Sequence, residues 1–218
     1  MRRGVISAPM PEWDTIFREK GYIFSEPHPE MERIAKLFVS RNVQRVLDLG
    51  CGTGRHMVFF SEKGFQMYGL DASEHALQLA KLWLDKSSLQ GELRQHKMEC
   101  RFPYDDDFFD AVISIQVIHH NKISDIMYTI REIERVLRKG GIAFVSVAVL
   151  KEERLFPDSD WALSEIEPGT YIPQKGPESG ILHHYFTPDE LRSAFSGFDI
   201  LEMFIDSTNH RCLLGIKK

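Results

Sequence analysis

The sequence predicts a single α/β domain: a doubly wound sheet with helices on both faces. Three observations carry that prediction. Short apolar runs alternate with amphipathic stretches along the chain, as in a parallel sheet covered by helices. A turn with glycines at positions 50, 52 and 54 joins the first clear apolar run to a helical stretch. An aspartate, Asp71, closes the next apolar run. The 218 residues are 43% hydrophobic and 27% charged, a globular composition, and no internal repeat divides them. The reading is one domain over residues 1–218, with a helical cap at 1–40 and an inserted lid or substrate segment at 148–184.

In order, residues 2–11 read as loop. Residues 12–20 read as a short helix with Trp13, Ile16 and Phe17 on one side, and 29–40 as a second, with Met31, Ile34, Ala35 and Phe38 at helical spacing. The first strand spans 44–49. A helix over 55–63 ends at Gly64, a good C-terminal cap. The second strand covers 65–70. Ser73 caps a helix over 74–86, whose apolar side holds Ala76, Leu77, Ala80, Leu82 and Trp83. Strands follow at 92–98 and 109–115. Ser124 is the expected cap of a helix to Arg138, ended by Gly140 and Gly141 before a strand at 142–147. Residues 148–184, with Pro157, Pro168, Pro173 and Pro177, read as an irregular segment too long for a simple connector. Phe156, Trp161 and Tyr171 favour a packed lid over a loose linker. Thr187-Pro188-Asp189-Glu190 is a helix start with proline in the first turn and the spacing of a capping box. Strands at 198–204 and 211–216, joined by a tight turn at 206–210, bring the count to seven.

The formal charge of −5 argues against a protein whose main task is gripping phosphate backbones. Three widely spaced cysteines, Cys51, Cys100 and Cys212, suggest neither a disulfide framework nor a zinc site, and point to a reducing, cytoplasmic setting. Residues 1–21 lack the apolar core of a signal peptide, and no run approaches the ~18 apolar residues that span a bilayer.

The segment from Val46 to His56 is the most informative. Glycine allows a sharp bend and close approach of a ligand to the backbone. Free N–H groups at the following helix start favour a carboxylate or other anion. A dinucleotide fingerprint wants its third glycine at the sixth place of the turn, but that place is Arg55. The Gly-Lys-Ser/Thr of a phosphate loop is absent. An acid at the tip of the second strand, Asp71, suits both hydroxyls of a ribose. A bare tight turn and an ordinary turn aspartate are the plainer alternatives for the two features.

Taken together, these residues resemble a known family. Val46-Leu-Asp-Leu-Gly-Cys-Gly-Thr-Gly54 resembles the first motif of class I S-adenosylmethionine-dependent methyltransferases, and Tyr68-Gly-Leu-Asp71-Ala-Ser their second. Residues 102–112 resemble the approach to their fourth strand. Leu137-Arg-Lys-Gly-Gly141 resembles the turn before their fifth, and residues 184–191 a helix start common in small members. The resemblance implies a Rossmann-like seven-stranded sheet with its last strand antiparallel. It implies S-adenosylmethionine as cofactor and S-adenosylhomocysteine as product. Gly50, Cys51, Gly52 and Gly54 would hold the methionine part and Asp48 its amino group. Asp71, with Ala72 beside it, would hold the ribose. Met98 and Glu99 would flank the adenine, and Ile115 or Gln116 would line the cofactor beside the fourth strand. Many relatives carry an aspartate where Met98 stands, so the adenine contact departs from the family pattern.

Methyl transfer needs in-line placement of a nucleophile, and a base only where the nucleophile must lose a proton. His119-His120 after the fourth strand, His183-His184 before the Thr187 helix, and His56 beside the glycine turn are the candidate bases, with His120 preferred. Each also fits a loop or capping role. Trp13, Phe17 and Tyr22 are candidates to help cover the site, or to pack the N-terminal helix on the core. Asp105-Asp106-Asp107 reads as a solvated turn, and no metal site is expected. Members that methylate adenine or glutamine nitrogen carry a proline-rich aromatic tetrapeptide after the fourth strand. Residues 114–120 read Ser-Ile-Gln-Val-Ile-His-His instead. That stretch and residues 201–206 are similar to transfer-RNA wobble-uridine carboxymethyl methyltransferases. The acidic charge and the lack of a basic cluster favour a small-molecule acceptor, with transfer RNA the alternative. A sensor or partner subunit that binds the cofactor without turnover is the alternative of another class. No membrane partner is expected, and the oligomeric state stays open.

Overall fold

The computed structural model describes residues 13–218; the loop expected at 2–11 and the first residue of the expected 12–20 helix lie outside them. The chain runs α1 (Trp13–Lys20), α2 (Met31–Ser40), β1 (Arg45–Leu49), α3 (Arg55–Glu62), β2 (Gln66–Asp71), α4 (Glu74–Lys86), β3 (Glu92–Gln95) and β4 (Phe109–Ile115). It continues as α5 (Ile123–Val136), β5 (Leu137–Ala148), β6 (Leu163–Glu167), β7 (Thr170–Pro173), β8 (His183–His184), α6 (Pro188–Ala194), β9 (Phe198–Ile205) and β10 (His210–Lys217). Seven strands form one sheet in the order β3-β2-β1-β4-β5-β10-β9, and only the last in sequence, β10, runs antiparallel to its neighbours.

Alternation along the strands decides which helix covers which face. Val46, Ala111, Ile113, Ile142 and Phe144 pack with α2, α3 and α4 through Phe38, Phe60 and Leu77. Leu47, Leu49, Val112, Ala143 and Val145 pack with α5 and α6 through Ile126, Ile130, Ile133, Leu191 and Phe195. Each fully buried aliphatic or aromatic side chain contributes about 1.5–3 kcal/mol, and both faces need that cover because the central strands are apolar on both sides. The strand order reverses between β1 and β4, so their carboxyl ends open a crevice where open α/β sheets bind ligands.

Several sequence expectations shift. Leu82 is 61% exposed, and Leu84 takes the buried place on α4. The α5 helix begins at Ile123 with Lys122 at its cap, so Ser124 lies in the first turn. It ends at Val136, and β5 starts at Leu137, because Leu137 pairs with Phe109 before a bulge; Gly140 and Gly141 lie inside the strand. The third strand stops at Gln95, and Met98 and Glu99 form a turn beyond it. Asp106 pairs with Arg135 at 2.8 Å and Asp107 with Lys217 at 2.8 Å, so two of the three aspartates hold the fold rather than only solvate it.

The largest difference is the segment expected to be irregular. It contains a three-stranded antiparallel sheet, β6-β7-β8. Gly169, at φ +76°, turns the β6–β7 hairpin. Leu163 and Tyr185 bury against Ala148, with Leu150, Trp161 and Tyr171 packed around them. Arg154 lies over Trp161 at 3.9 Å, a cation–π contact. At its far end Thr187 caps α6, its Oγ1 accepting from the Glu190 N–H at 3.2 Å. The Glu190 carboxylate lies 3.3 Å from Nε2 of buried His184.

Candidate cofactor and acceptor site

The glycine turn is fixed by its neighbours. The N–H groups of Gly50 and Cys51 both donate to the Leu70 carbonyl, at 2.7 and 3.1 Å. Gly50, Gly52 and Gly54 have φ of +73°, +52° and +91°, a backbone region costly to other residues. A Cβ on Gly50 would lie 2.3 Å from Val117, and one on Gly54 2.9 Å from Ala80 of α4. Gly54 is therefore the close-packing glycine, set between two helices rather than between helix and strand. Gly52 faces Phe17 of α1.

Asp48, the last but one residue of β1, is 1% exposed, and its Oδ2 has no hydrogen-bond partner among the described residues. Burial pushes its pKa up to about 7, against the pull of Arg55 and with a push from Asp71. An unpaired buried carboxylate is costly, and a cation beside it would restore the ionised form. Asp71 is better served. Oδ2 accepts from the Gly52 N–H and Oδ1 from the Ser73 N–H, both at 2.8 Å. Burial raises its pKa, and the two N–H groups oppose that. Each carboxylate oxygen can accept twice, so capacity for two hydroxyls remains. Asp71 thus pins the bend to the start of α4, a role the sequence did not suggest.

Ala72, Ile115 and Gln116 stand at neighbouring strand ends. Gln116 has φ +61°, a strained conformation of the kind that clusters at functional sites. Its N–H donates to the Ser146 carbonyl at 3.0 Å, and its side-chain amide reaches His210 at 3.2 Å. The Cys51 thiol belongs to the core, against Gly69, and burial holds its pKa well above the usual thiol value. Only its backbone faces the bend. Met98 and Glu99 lie beyond β3; the Met98 carbonyl accepts from Thr129 at 2.9 Å, and Glu99 approaches Asn121 at 3.5 Å.

The candidate bases separate. His56 is buried on α3 and accepts from the His28 N–H at 3.2 Å. His184 is buried in the small sheet, bonded to Thr170 at 2.8 Å. His119, His120 and His183 gather into one group, with ring centroids 4.1 Å (119–120), 4.6 Å (120–183) and 5.8 Å (119–183) apart. Burial, and then His183, push the His120 pKa down to about 3. It is a neutral ring at physiological pH and a far weaker base than the free imidazole expected from sequence.

The cap is docked over this region. Trp13 of α1 meets His120 edge-on at 5.1 Å and lies 6.0 Å from Phe17. Asp14 fastens α1 by accepting from Ser73 Oγ at 2.7 Å and from the His75 N–H at 3.2 Å. The bonds from Ser73 and Arg18 lower its pKa to about 2. Tyr22 packs on Trp83 and donates to the Leu79 carbonyl, away from the bend. Asp14 and Val117 went unremarked in the sequence. Helical spacing links Asp14 to Arg18 and Phe17, but nothing local marks Val117.

Fold and bend together define a doubly wound α/β domain with a glycine-built bend and two buried carboxylates at the carboxyl end of its sheet. Comparison with known proteins agrees. Residues 46–141 match the profile of a methyltransferase domain. The provisionally named methyltransferase YqeM of Bacillus subtilis is 34% identical over 120 residues, 54% of this chain and 48% of that protein. The chain thus spans about half the length of that relative. The structure of the PH0226 protein from Pyrococcus horikoshii superposes with TM-score 0.74 at 19% identity, covering 94% of this chain and 99% of that one. Magnesium protoporphyrin IX methyltransferase from Synechocystis, solved with bound S-adenosylhomocysteine, gives 0.66 at 16% identity over 94% and 93% of the two chains. Residues 46–141 thus carry a methyltransferase domain, and its strands and glycine bend resemble those of the class I S-adenosylmethionine-dependent family. The residues present fit that family's cofactor: Asp48 Oδ2, without a partner among the described residues, suits an ammonium group, and the Asp71 oxygens keep acceptor capacity for hydroxyls.

Proposed function

We propose that this chain transfers a methyl group from S-adenosylmethionine, in line, to a small-molecule acceptor. The unpaired buried oxygen of Asp48, beside a side-chain-free bend and one strand from Asp71, carries this reading. When bound, the cofactor supplies an electrophilic methyl on a good leaving group. The chain supplies position and dryness. Asp48 pairs with the ammonium, the bend admits the tail, and Asp71 holds the ribose. Ala72, Met98 and Glu99 bound the adenine, and Ile115 and Gln116 the sugar's inner edge. In-line positioning accounts for about 7–11 kcal/mol of a bimolecular barrier. Trp13 and Phe17 exclude water from above, and the 148–184 segment forms the acceptor wall. His120 is the catalytic candidate on the acceptor side; the Leu182 carbonyl holds its Nδ1 at 3.1 Å, so its Nε2 is the atom that faces the acceptor region.

Support for a small acceptor comes from the net charge of −5 and from the small-molecule acceptor in the name of the Synechocystis neighbour. Among the described residues, no helix is long and apolar enough to cross a membrane. Free Cys51, Cys100 and Cys212 suit a reducing cytoplasm. The test is transfer of labelled methyl from the cofactor across metabolite pools, with bulk transfer RNA as a parallel arm. Label in a small-molecule fraction supports the proposal. Label in transfer RNA alone moves the acceptor class, and no label in either arm with tight cofactor binding leaves a sensor in place of an enzyme.

A further inference from the structure

The three histidines on the acceptor side come from distant stretches of chain. His119 and His120 follow β4, and His183 opens β8. One ligand atom from each lies within 4.8 Å of the others. Two of the rings are already oriented. His120 Nδ1 lies 3.1 Å from the Leu182 carbonyl, and His183 Nδ1 lies 2.9 Å from the Ile181 carbonyl. A carbonyl only accepts, so both Nδ1 atoms carry the hydrogen, and in the neutral rings both Nε2 atoms are bare lone pairs. Backbone carbonyls commonly orient metal-binding histidines in this way. The third ring, His119, is 2% exposed, and its Nδ1 has no partner among the described residues.

A carboxylate stands beside the group. Glu178 Oε2 stands 2.7 Å from His183 Nε2. With Nδ1 committed to the Ile181 carbonyl, these are two acceptors face to face unless a positive charge joins them. A proton on His183 would serve that one pair, but would leave the His119 and His120 nitrogens unused. A divalent ion serves the three imidazoles together. Three imidazole ligands match the donor type of zinc-class ions and leave a fourth position open.

We propose that His119, His120 and His183, with Glu178 beside them, form a binding site for a divalent transition metal of the zinc class. The site itself does not depend on the methyltransferase reading; its role does. The His120 N–H bonds back to Val117, which packs on Gly50, so an ion here would stand one turn from the glycine bend. On that reading the ion holds an acceptor oxygen or sulfur and lowers its pKa, which removes the need for a strong side-chain base.

The full chain, stripped of metal by chelator, is titrated with Zn²⁺ by calorimetry and with Co²⁺ by visible absorption, and S-adenosylhomocysteine binding is measured in parallel. The expected result is one ion per chain with a tetrahedral Co²⁺ spectrum. His183→Ala should weaken Zn²⁺ by at least about 100-fold, beyond the usual outer-shell effect, while S-adenosylhomocysteine still binds and so reports the fold. His96→Ala, outside the group, should change nothing. Anomalous scattering from Zn²⁺-soaked crystals of the unaltered chain gives a readout that needs no variant, with the peak expected among the three rings. A chain that takes up no ion, a peak elsewhere, or affinity unmoved by His183→Ala overturns the proposal. S-adenosylhomocysteine binding without metal binding overturns this inference and spares the cofactor assignment; metal binding without it does the reverse.

Discussion

The two halves of the crevice are built in different ways. The proposed cofactor half is local: β1, the bend and the tip of β2 fall within residues 45–73, and backbone N–H groups set nearly all of its geometry. The proposed acceptor half is assembled from afar. Trp13, His120, His183 and Glu178 come from α1, the turn after β4 and the small sheet's segment, and side chains set their geometry. A backbone-built seat tolerates little change in its few glycines, whereas a side-chain-built wall can be exchanged without disturbing the sheet. Damage to the first half should therefore cost stability and cofactor affinity together. Damage to the second should leave the cofactor bound.

Gly54→Ala should have the largest effect. It places a Cβ 2.9 Å from Ala80 at φ +91°. Overpacking costs about 1–3 kcal/mol, and the left-handed backbone about 1–2 more. Chemical denaturation should show the loss, and cofactor affinity should fall with it. A stable variant would remove the tight α3–α4 contact from the account.

Asp48→Asn comes next, with the opposite sign. A carboxyl raised from 3.8 to about 7 in the folded state favours folding in its protonated form. That contribution is full below about pH 4 and is lost as pH rises through about 7. Removing the ionisable group should stabilise the ligand-free chain at pH 8 by on the order of 2–4 kcal/mol, at about 1.4 kcal/mol per pKa unit. The gain should vanish below about pH 4. Denaturation midpoints across pH check this; a gain independent of pH would mean that Asp48 does not titrate as the burial requires.

Asp71→Ala should weaken S-adenosylhomocysteine by about 1.5–3 kcal/mol, the range for hydrogen bonds to a charged group. It also frees the Gly52 and Ser73 N–H groups, so a drop in melting temperature should accompany the loss. Calorimetry that finds the affinity unchanged would detach Asp71 from the seat.

Thr187→Ala tests the other half. Removing the α6 cap should cost about 1 kcal/mol and leave S-adenosylhomocysteine affinity unaltered. A large fall in affinity would show that the halves are coupled through the segment before α6.

The same contrast explains what the sequence could reveal. The continuous apolar runs of β1, β4 and β5 and the Ser73 and Thr187 caps are local signals, and each has its counterpart in the fold. The β6–β7–β8 sheet escaped notice because its strands are short, are broken by prolines, and bury only one side against Ala148 and Tyr185. The histidine group was invisible for a different reason. Its members are far apart in the chain, and only the docking of the small sheet at the end of β4 joins them. The fall in the His120 pKa likewise depends on burial that no local pattern encodes. Ser124 failed as a cap because α5 opens one residue before it, where the Ile123 N–H donates to Glu167 at 2.9 Å.

The most direct test is calorimetric titration of S-adenosylhomocysteine into the full chain, compared with its analogue lacking the amino group. The account predicts one site per chain, and an analogue that binds the wild type much more weakly but loses most of that disadvantage in Asp48→Asn. Absence of binding, or equal affinity of the wild type for both compounds, would contradict the seat at the glycine bend.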